Sequence, residues 1–270
     1  MTSSNTPNLD ALLDTAKTNE LISPQTLNIM AGDIGSVIQA GLGILPDDVQ
    51  SAEPYLITLI IDDSTSIAGI PGGPEAVCTG QNLYIDAFIN SKQTDGIVVS
   101  TWLLNKDDPL QPFVLIKDAI RLQNRANYKA DGFTPLYRKA CSAIGSMLVE
   151  LKVRYLDAGC AARGIVLVVT DGRNEDYTMG RTIYTADMVK TMIADLGENC
   201  IVQFMGIEGN QNVDFRQIAK EMGIVDGQIM TTKNSPHEIR ESFGMASKSA
   251  LSASKSATGF SATQAKGFTV

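Results

Sequence analysis

Five oxygen-bearing side chains stand in three separated segments of the sequence, and their types suit a metal site. Asp62, Ser64 and Ser66 lie in the segment DDSTS, Thr134 lies in GFTPL, and Asp171 lies in TDG. Carboxylate and hydroxyl oxygens are hard ligands that favour Mg²⁺, with Mn²⁺ and Ca²⁺ as alternatives, over Zn²⁺ or copper. Mg²⁺ takes about six oxygens and tends to keep several waters. Two carboxylates would neutralise the ion and leave a coordination position for water or an incoming acidic group.

Each of the two aspartates, Asp62 and Asp171, directly follows an apolar run of strand length. Such runs are YLITLII, GIVVSTWLL, GIVLVVT and CIVQFMGI. Strands this apolar, without alternation, are typical of a sheet whose two faces are both covered by helices. Ligands bind at the carboxyl ends of the strands in open α/β sheets. We therefore expect the two aspartates to meet at that edge.

Helical patterns separate the apolar runs and indicate the fold class. They cover about 80–91, 135–157, 185–196, 213–223 and 236–248. Thr134 is well placed as the N-cap of the second of these helices, with Pro135 at its first position. The turn-rich NKDDP between two extended runs predicts an antiparallel hairpin at a sheet edge. The sequence thus predicts an α/β fold with a Rossmann-like, open, mostly parallel sheet, one antiparallel edge strand and helices on both faces.

The three polar segments resemble the metal-ion-dependent adhesion site (MIDAS) of von Willebrand factor type A (VWA) domains. DDSTS fits the motif DxSxS, GFTPL supplies the threonine, and TDG supplies the second aspartate, over a resemblance that spans about 54–246. By that resemblance Ser64, Ser66 and Thr134 would be direct or near-direct metal ligands. Asp62 and Asp171 would hold the ion largely through waters. No element of the motif is missing.

The VWA resemblance also implies a function, which is metal-dependent protein–protein interaction without catalysis. A protein partner would supply an Asp or Glu to the bound ion. Asp63 and Thr65 occupy the variable positions of the motif, and we expect Asp63 to point to solvent or to cap the following turn. The segment GIPGGPEAVCTG, Gly69 to Gly80, is interpreted as a long loop that either shapes the rim seen by a partner or is a tolerated insertion.

A second resemblance concerns the end of the sequence. SFGMASKSALSASKS resembles the Ser-rich ending of intracellular bacterial VWA proteins of the tellurium-resistance and stress-associated type. It implies a bacterial or phage protein that works beside AAA-plus ATPases or phospho-signalling components.

Composition divides the chain into three parts. Residues 1–50 hold one Lys and six Asp or Glu, a net charge of 1 − 6 = −5, and show helical patterns. We expect this acidic leader to pack on the core or on a partner. By the resemblance, we expect residues 51–248 to form a VWA domain. Residues 249–270 are a Ser-, Ala- and Lys-rich tail, which we expect to be flexible or to lie on the acidic body of its own or another subunit.

Charge and residue content exclude several classes of function. The net charge of −8 argues against nucleic-acid binding, and the sequence shows neither a signal-like segment nor an apolar run of membrane-spanning length, so we expect a cytoplasmic protein. Four scattered cysteines lack CxxC spacing and suggest neither a zinc ribbon nor a disulfide framework. The one histidine, His237, follows Ser235 and Pro236 at a predicted helix start, which argues against His-rich zinc sites and most catalytic triads.

An enzymatic function is an alternative to the binding function. Haloacid-dehalogenase-type phosphatases carry DxDx[TV], and Ser64 stands where their second aspartate acts as acid and base. The P-loop pattern GxxxxGK[ST] is absent. Two alternatives stay open: a scaffold component with a purely structural metal that contacts partners through its leader or tail, and a metal-dependent hydrolase. The polar loop Arg173 to Tyr177 is either solvated or part of the specificity rim.

Overall fold

The protein has the predicted α/β fold. Its structure, a computed structural model, describes residues 8–91, 94–175, 182–209 and 213–268. Within these residues, six strands form one sheet in the order β3-β2-β1-β4-β5-β6. They are β1 (Tyr55–Ile61), β2 (Ile97–Leu103), β3 (Gln111–Leu115), β4 (Arg163–Thr170), β5 (Cys200–Glu208) and β6 (Ile229–Lys233). All neighbours pair in parallel except β3, which pairs antiparallel with β2 at one edge. The prediction of a mostly parallel sheet with one antiparallel edge strand is confirmed.

The burial of the central strand β1 on both faces explains why its sequence does not alternate between apolar and polar residues. Its seven residues are all buried. Leu56 and Ile60 belong to the apolar core on one face of the sheet, whereas Ile57 and Leu59 belong to the core on the other. Because helices cover both faces, every position of the strand has to be compatible with a core.

Helices cover both faces of the sheet, as predicted. They are α1 (Leu9–Thr18), α2 (Pro24–Met30), α3 (Gly35–Gly41), α4 (Thr65–Ala68), α5 (Gly73–Ile89), α6 (Leu136–Leu148), α7 (Ala186–Leu196), α8 (Phe215–Glu221), α9 (Pro236–Ser254) and α10 (Ala257–Lys266). One face packs against α5, α9 and α10, and the other against α1 to α3 and α6 to α8. A π-helix, Val149–Leu156, continues α6. Ser235 caps α9 and Pro236 is its first residue, as the sequence predicts.

The prediction of a long loop from Gly69 to Gly80 is wrong for most of this segment, because α5 already begins at Gly73. The glycines of this segment serve helix packing: a Cβ at Gly80 would overlap the ring of Phe243 on α9. Pro74 lies in the first turn, where a helix needs no amide donor. A Gly- and Pro-rich composition therefore marks a close helix–helix contact here and not an extended loop.

The predicted N-cap role of Thr134 is also wrong. Helix α6 begins at Leu136, and its N-cap Pro135 makes no side-chain cap bond. The carbonyl of Thr134 instead accepts hydrogen bonds from the amides of Leu136, at 2.7 Å, and Glu175, at 2.8 Å. The second contact ties this loop to the one that follows β4.

The leader and the tail lie against the body of the chain. Leu12 of α1 and Ile38 of α3 belong to the same apolar cluster as Leu56 of β1. The amide of Ile44 donates to the carbonyl of Phe113 at 2.9 Å, which covers part of the outer edge of β3. Residues 249–266, expected to be a flexible or docked tail, complete α9 and form α10, where Phe260 is 4% exposed.

Among the described residues, no single helix is both long and apolar enough to cross a membrane. One pair bent by 91°, Pro24–Met30 with Gly35–Asp48, meets these criteria only when its two helices are taken together.

Candidate metal centre

The two predicted aspartates lie side by side at the carboxyl edge of the sheet. Asp62 directly follows β1 and Asp171 directly follows β4. These strands are parallel neighbours with Ile61 opposite Val169. The amide of Asp62 continues their ladder by donating to the carbonyl of Val169 at 3.0 Å.

Three of the predicted side chains converge on one point. The Ser66 hydroxyl donates to Asp171 Oδ1 at 2.6 Å, and Oγ of Ser64 lies 2.9 Å from Oγ of Ser66. Ser64 Oγ is 3.5 Å from the same carboxylate oxygen. Residues 105 positions apart in sequence therefore present two hydroxyls and a carboxylate to a common volume.

The carboxylate of Asp62 connects the two strand ends. Its Oδ1 accepts from the amide of Ser64 at 2.8 Å. Its Oδ2 accepts from the hydroxyl of Thr170 at 2.6 Å and from the amide of Asp171 at 3.3 Å. Asp62 is 1% exposed, so its contacts are those of a residue that orients the loops carrying Ser64 and Asp171.

Thr134 reaches the same place from the loop before α6. It is buried, and a Cβ placed on Gly172 would lie 3.1 Å from its Oγ1. Ser64, Ser66, Thr134 and Asp171 all line one open cleft of about 430 Å³. The structure thus brings four of the five predicted residues to the cleft and places the fifth, Asp62, beneath them.

The rim of this cleft is polar. Arg173 and Glu175 contribute to its lining, together with Asn234 from the end of β6. The predicted polar loop runs to Tyr177, and its last two residues lie outside the described part of the chain.

Burial raises the pKa of each carboxyl group in these loops. For Asp62 the pKa rises because of burial, against hydrogen bonds from Ser64 and Thr170. Burial, and next the negative charge of Asp62, raise the pKa of Asp171 to about 7. Burial raises the pKa of Asp63 to about 6. Negative charge held in a low-dielectric site is costly unless a positive charge compensates it.

The expectation that Asp63 points to solvent or caps the next turn is wrong. Asp63 is 1% exposed, and its Oδ1 accepts from the backbone amide of Asn105 at 2.8 Å and from the Asn105 side chain at 3.1 Å. Asn105 belongs to the segment NKDDP, for which the sequence predicts only the turn of a hairpin.

Two further residues of this site were missed. Thr170, the first residue of the TDG segment, donates to Asp62 as described above. The phenol of Tyr128 donates to the backbone carbonyl of Asp62 at 2.7 Å. No local pattern points to Tyr128, because its partner lies 66 residues away.

The donor set fits a hard divalent cation. Among the residues that the structure describes, no three or more His, Cys, Asp or Glu side chains form a group that could hold a metal ion. The predicted centre has two carboxylates and completes its set with hydroxyls, so it falls outside that kind of group. Oxygens alone, with an open cleft for water, suit Mg²⁺ better than a metal that needs nitrogen or sulfur.

The histidine and the cysteines, which the sequence predicts to take no part in a metal or catalytic site, do not line the cleft. The side chain of His237 is 75% exposed and lies 3.6 Å from Glu241 on the same helix. Trp102 is fully buried on β2. The four cysteines are free; Cys78, Cys141 and Cys200 are buried.

The chain was compared with known proteins. No family model matches the chain, and no curated protein matches it. It is similar in structure to the pilus adhesin SpaC from Lactobacillus rhamnosus GG, with a TM-score of 0.46 at 13% identity, and to the open conformation of that adhesin, with 0.48 at 14%. Each match covers 76% of this chain and 31% of the adhesin chain. The chain is also similar to proximal thread matrix protein 1 from the mussel byssus, with a TM-score of 0.47 at 16% identity, over 71% of this chain and 46% of the other.

Proposed function

We propose that this protein is a VWA-type binding module that holds a divalent cation, Mg²⁺ in the first instance, and uses it to capture an acidic residue of a protein partner. The observation that carries the proposal is the convergence of Ser64, Ser66 and Asp171 in a cleft that Thr134 also lines: Oγ of Ser66 lies 2.6 Å from Asp171 Oδ1 and 2.9 Å from Oγ of Ser64. The hydroxyls of Ser64, Ser66 and Thr134 would contact the ion. Asp62 and Asp171 would hold it through waters.

The electrostatics of the centre support a cation. Asp62 and Asp171 are buried next to each other, and the charge of one raises the pKa of the other. A divalent ion between them would compensate both charges and favour the ionised form of each carboxyl group. The resulting site would have no net charge, which leaves the bound ion able to attract a further carboxylate.

The shape of the centre favours the binding of a protein partner over the binding of a small substrate in a closed pocket without water. The cleft is open, and its floor carries no histidine, lysine or cysteine among the residues described. Ser64 cannot act as the acid and base that a phosphatase of the dehalogenase type needs. We therefore infer binding without catalysis.

We also propose a cytoplasmic location, with partners of the AAA-plus or phospho-signalling kind. Four free cysteines support a reducing compartment, where thiols persist.

Metal binding is tested with the purified chain and the variants Asp62→Ala and Thr134→Ala. We expect the melting temperature of the natural chain to rise with Mg²⁺ relative to EDTA, since a ligand at 100 times its Kd adds about 2.7 kcal/mol to stability. Both variants should lose this response. The control is Asp131→Ala, which removes a carboxylate whose side chain is 56% exposed on the connection that leads to Thr134. A metal response that survives in both site variants would contradict the assignment.

Partner capture is tested in parallel arms with Mg²⁺, with EDTA and with the Asp62→Ala chain. A protein retained only by the natural chain in Mg²⁺, and released when one of its acidic residues is replaced, would support the proposal. Retention of the same proteins in every arm would make the ion structural and move the search to the leader and the tail. Turnover of a phosphoester that requires Mg²⁺ would favour the hydrolase instead.

A further inference from the structure

Asn105 makes hydrogen bonds to both loops that carry the hydroxyl groups of the candidate metal centre. It lies two residues after the end of β2, in the hairpin that leads to β3. Its backbone amide and its Nδ2 donate to Asp63 Oδ1 at 2.8 and 3.1 Å. Its Nδ2 also donates to the carbonyl of Phe133 at 2.7 Å, and its Oδ1 accepts from the amide of Phe133 at 2.9 Å. The side-chain amide therefore has partners for both of its donor hydrogens and for its oxygen.

The partners of Asn105 are the immediate neighbours of proposed ligands. Asp63 stands between Asp62 and Ser64, and Phe133 directly precedes Thr134. A change in the distance between Asp63 and Phe133 would move the hydroxyl of Ser64 relative to that of Thr134. Asn105 thus sets a separation on which the ligand geometry depends.

Gly132 shows that the local backbone accommodates this contact. Its φ is +98°, in the region that favours glycine, and a Cβ there would lie 2.5 Å from Asn105 Oδ1. Gly132 also contacts the first loop independently of Asn105: the amide and the hydroxyl of Thr65 donate to its carbonyl at 3.2 and 3.0 Å. Because this second contact remains when Asn105 is replaced, the loop should keep its fold.

We propose that Asn105, acting through Asp63 and Phe133, is a positioning residue that sets the spacing of Ser64 and Thr134 and thereby the affinity and selectivity of the centre for Mg²⁺. This inference rests on the proposed metal function. Mg²⁺ requires near-ideal octahedral geometry at short distances, whereas Ca²⁺ accepts longer and more variable ones. A loss of spacing should therefore weaken Mg²⁺ binding more than Ca²⁺ binding.

The test measures the Kd of Mg²⁺ and of Ca²⁺, each alone, by calorimetry on the full chain. The variants are Asn105→Ala and the isosteric Asn105→Asp. The Asp side chain retains an acceptor for the Phe133 amide but cannot donate to Asp63 or to the Phe133 carbonyl, whereas the backbone amide of residue 105 can still donate to Asp63 in both variants. The control is Asn127→Ala. Asn127 lies on the connection between β3 and α6, which also carries Phe133, and it likewise bonds two backbone groups, donating to Arg121 O at 2.8 Å and accepting from Gln123 N at 2.7 Å.

We expect both Asn105 variants to bind Mg²⁺ about 10- to 100-fold more weakly than the natural chain, the usual effect of removing a partner that orients metal ligands. Their Ca²⁺ affinity should fall less, so the preference for Mg²⁺ over Ca²⁺ decreases, and Asn127→Ala should change neither. The proposal is overturned if both Asn105 variants keep the natural Mg²⁺ affinity, or if they lose Mg²⁺ and Ca²⁺ affinity equally. Absence of Mg²⁺ binding by the natural chain would instead show that the proposed function itself has failed, and the positioning role with it. If Asn105→Ala does not fold, the isosteric variant gives the same decision.

Discussion

The carboxylate of Asp62 already has three protein donors, two of them backbone amides and one the hydroxyl of Thr170. Such a group holds neighbouring ligands in place more than it offers free lone pairs to an ion. Asp171 differs, since its Oδ1 faces the hydroxyls of Ser64 and Ser66 in the cleft. Two aspartates that look equivalent in sequence therefore have different surroundings.

These surroundings predict how stability depends on pH when no metal is bound. The pKa of Asp171 rises from 3.8 to about 7 on folding. The folded state then binds the proton more tightly than the unfolded state, so stability falls as the pH rises through this interval, by at most about 1.4 kcal/mol per pH unit for one group. Asp62 and Asp63, whose pKa values are also raised, act in the same direction.

We expect the metal-free chain to lose stability between pH 4 and pH 7, and Asp171→Asn to lose less over the same range. Mg²⁺ should stabilise the natural chain more at pH 8 than at pH 5, since at the lower pH it must displace protons. Urea unfolding across this pH range, with and without Mg²⁺, measures both effects. Equal pH slopes for the natural chain and for Asp171→Asn would show that Asp171 does not titrate in this interval.

At the scale of elements, two glycines in packed helices have opposite surroundings. Gly80 of α5 meets the ring of Phe243 on α9, where a Cβ would overlap the ring. At Gly244 of α9, no atom outside the neighbouring backbone of the same helix lies within 4 Å of the position that its Cβ would take. The first glycine permits a close approach of two helices, whereas the second only lowers the helix propensity of its segment.

We therefore predict that replacing each glycine with alanine changes the free energy of unfolding in opposite directions. Gly80→Ala should destabilise the protein by about 1–3 kcal/mol through overpacking against Phe243. Gly244→Ala should stabilise it by up to about 1 kcal/mol, because alanine favours the helix. Free energies of unfolding from urea titrations compare the two. A neutral result for Gly80→Ala would mean that α5 and α9 can separate slightly without cost.

At the scale of the whole molecule, local patterns predicted five of the strands and the edge where Asp62 and Asp171 meet. Four of those strands, β1, β2, β4 and β5, are continuous apolar runs, and β3 was predicted from the turn-rich segment NKDDP that precedes it. Strand β6 was missed because its five residues, IMTTK, are only partly buried and form no apolar run. The contact between Asp63 and Asn105 joins residues 42 positions apart, so only the folded arrangement of the loops reveals it.

Contacts between residues far apart in sequence hold the leader to the body of the chain. The amide of Gly43 donates to the buried carboxylate of Glu150 at 2.7 Å. Arg154, one turn further along the π-helix, pairs with the same carboxylate and donates to the carbonyl of Gly43 at 3.3 Å. Gly41 packs against the ring of Trp102, where a Cβ would overlap it. The one tryptophan of the chain therefore lies where the leader meets the sheet.

This arrangement predicts that the leader and the sheet unfold together. Arg154→Met should destabilise the protein by about 3–5 kcal/mol, because it leaves a buried carboxylate without its partner. The double variant Glu150→Leu with Arg154→Met should be less destabilised than the single one, since it buries no unpaired charge. In urea, Trp102 fluorescence and far-ultraviolet circular dichroism should report one coincident transition for the natural chain. A fluorescence transition at lower urea concentration than the dichroism transition would mean that the leader detaches first, as a separate unit that a partner could replace.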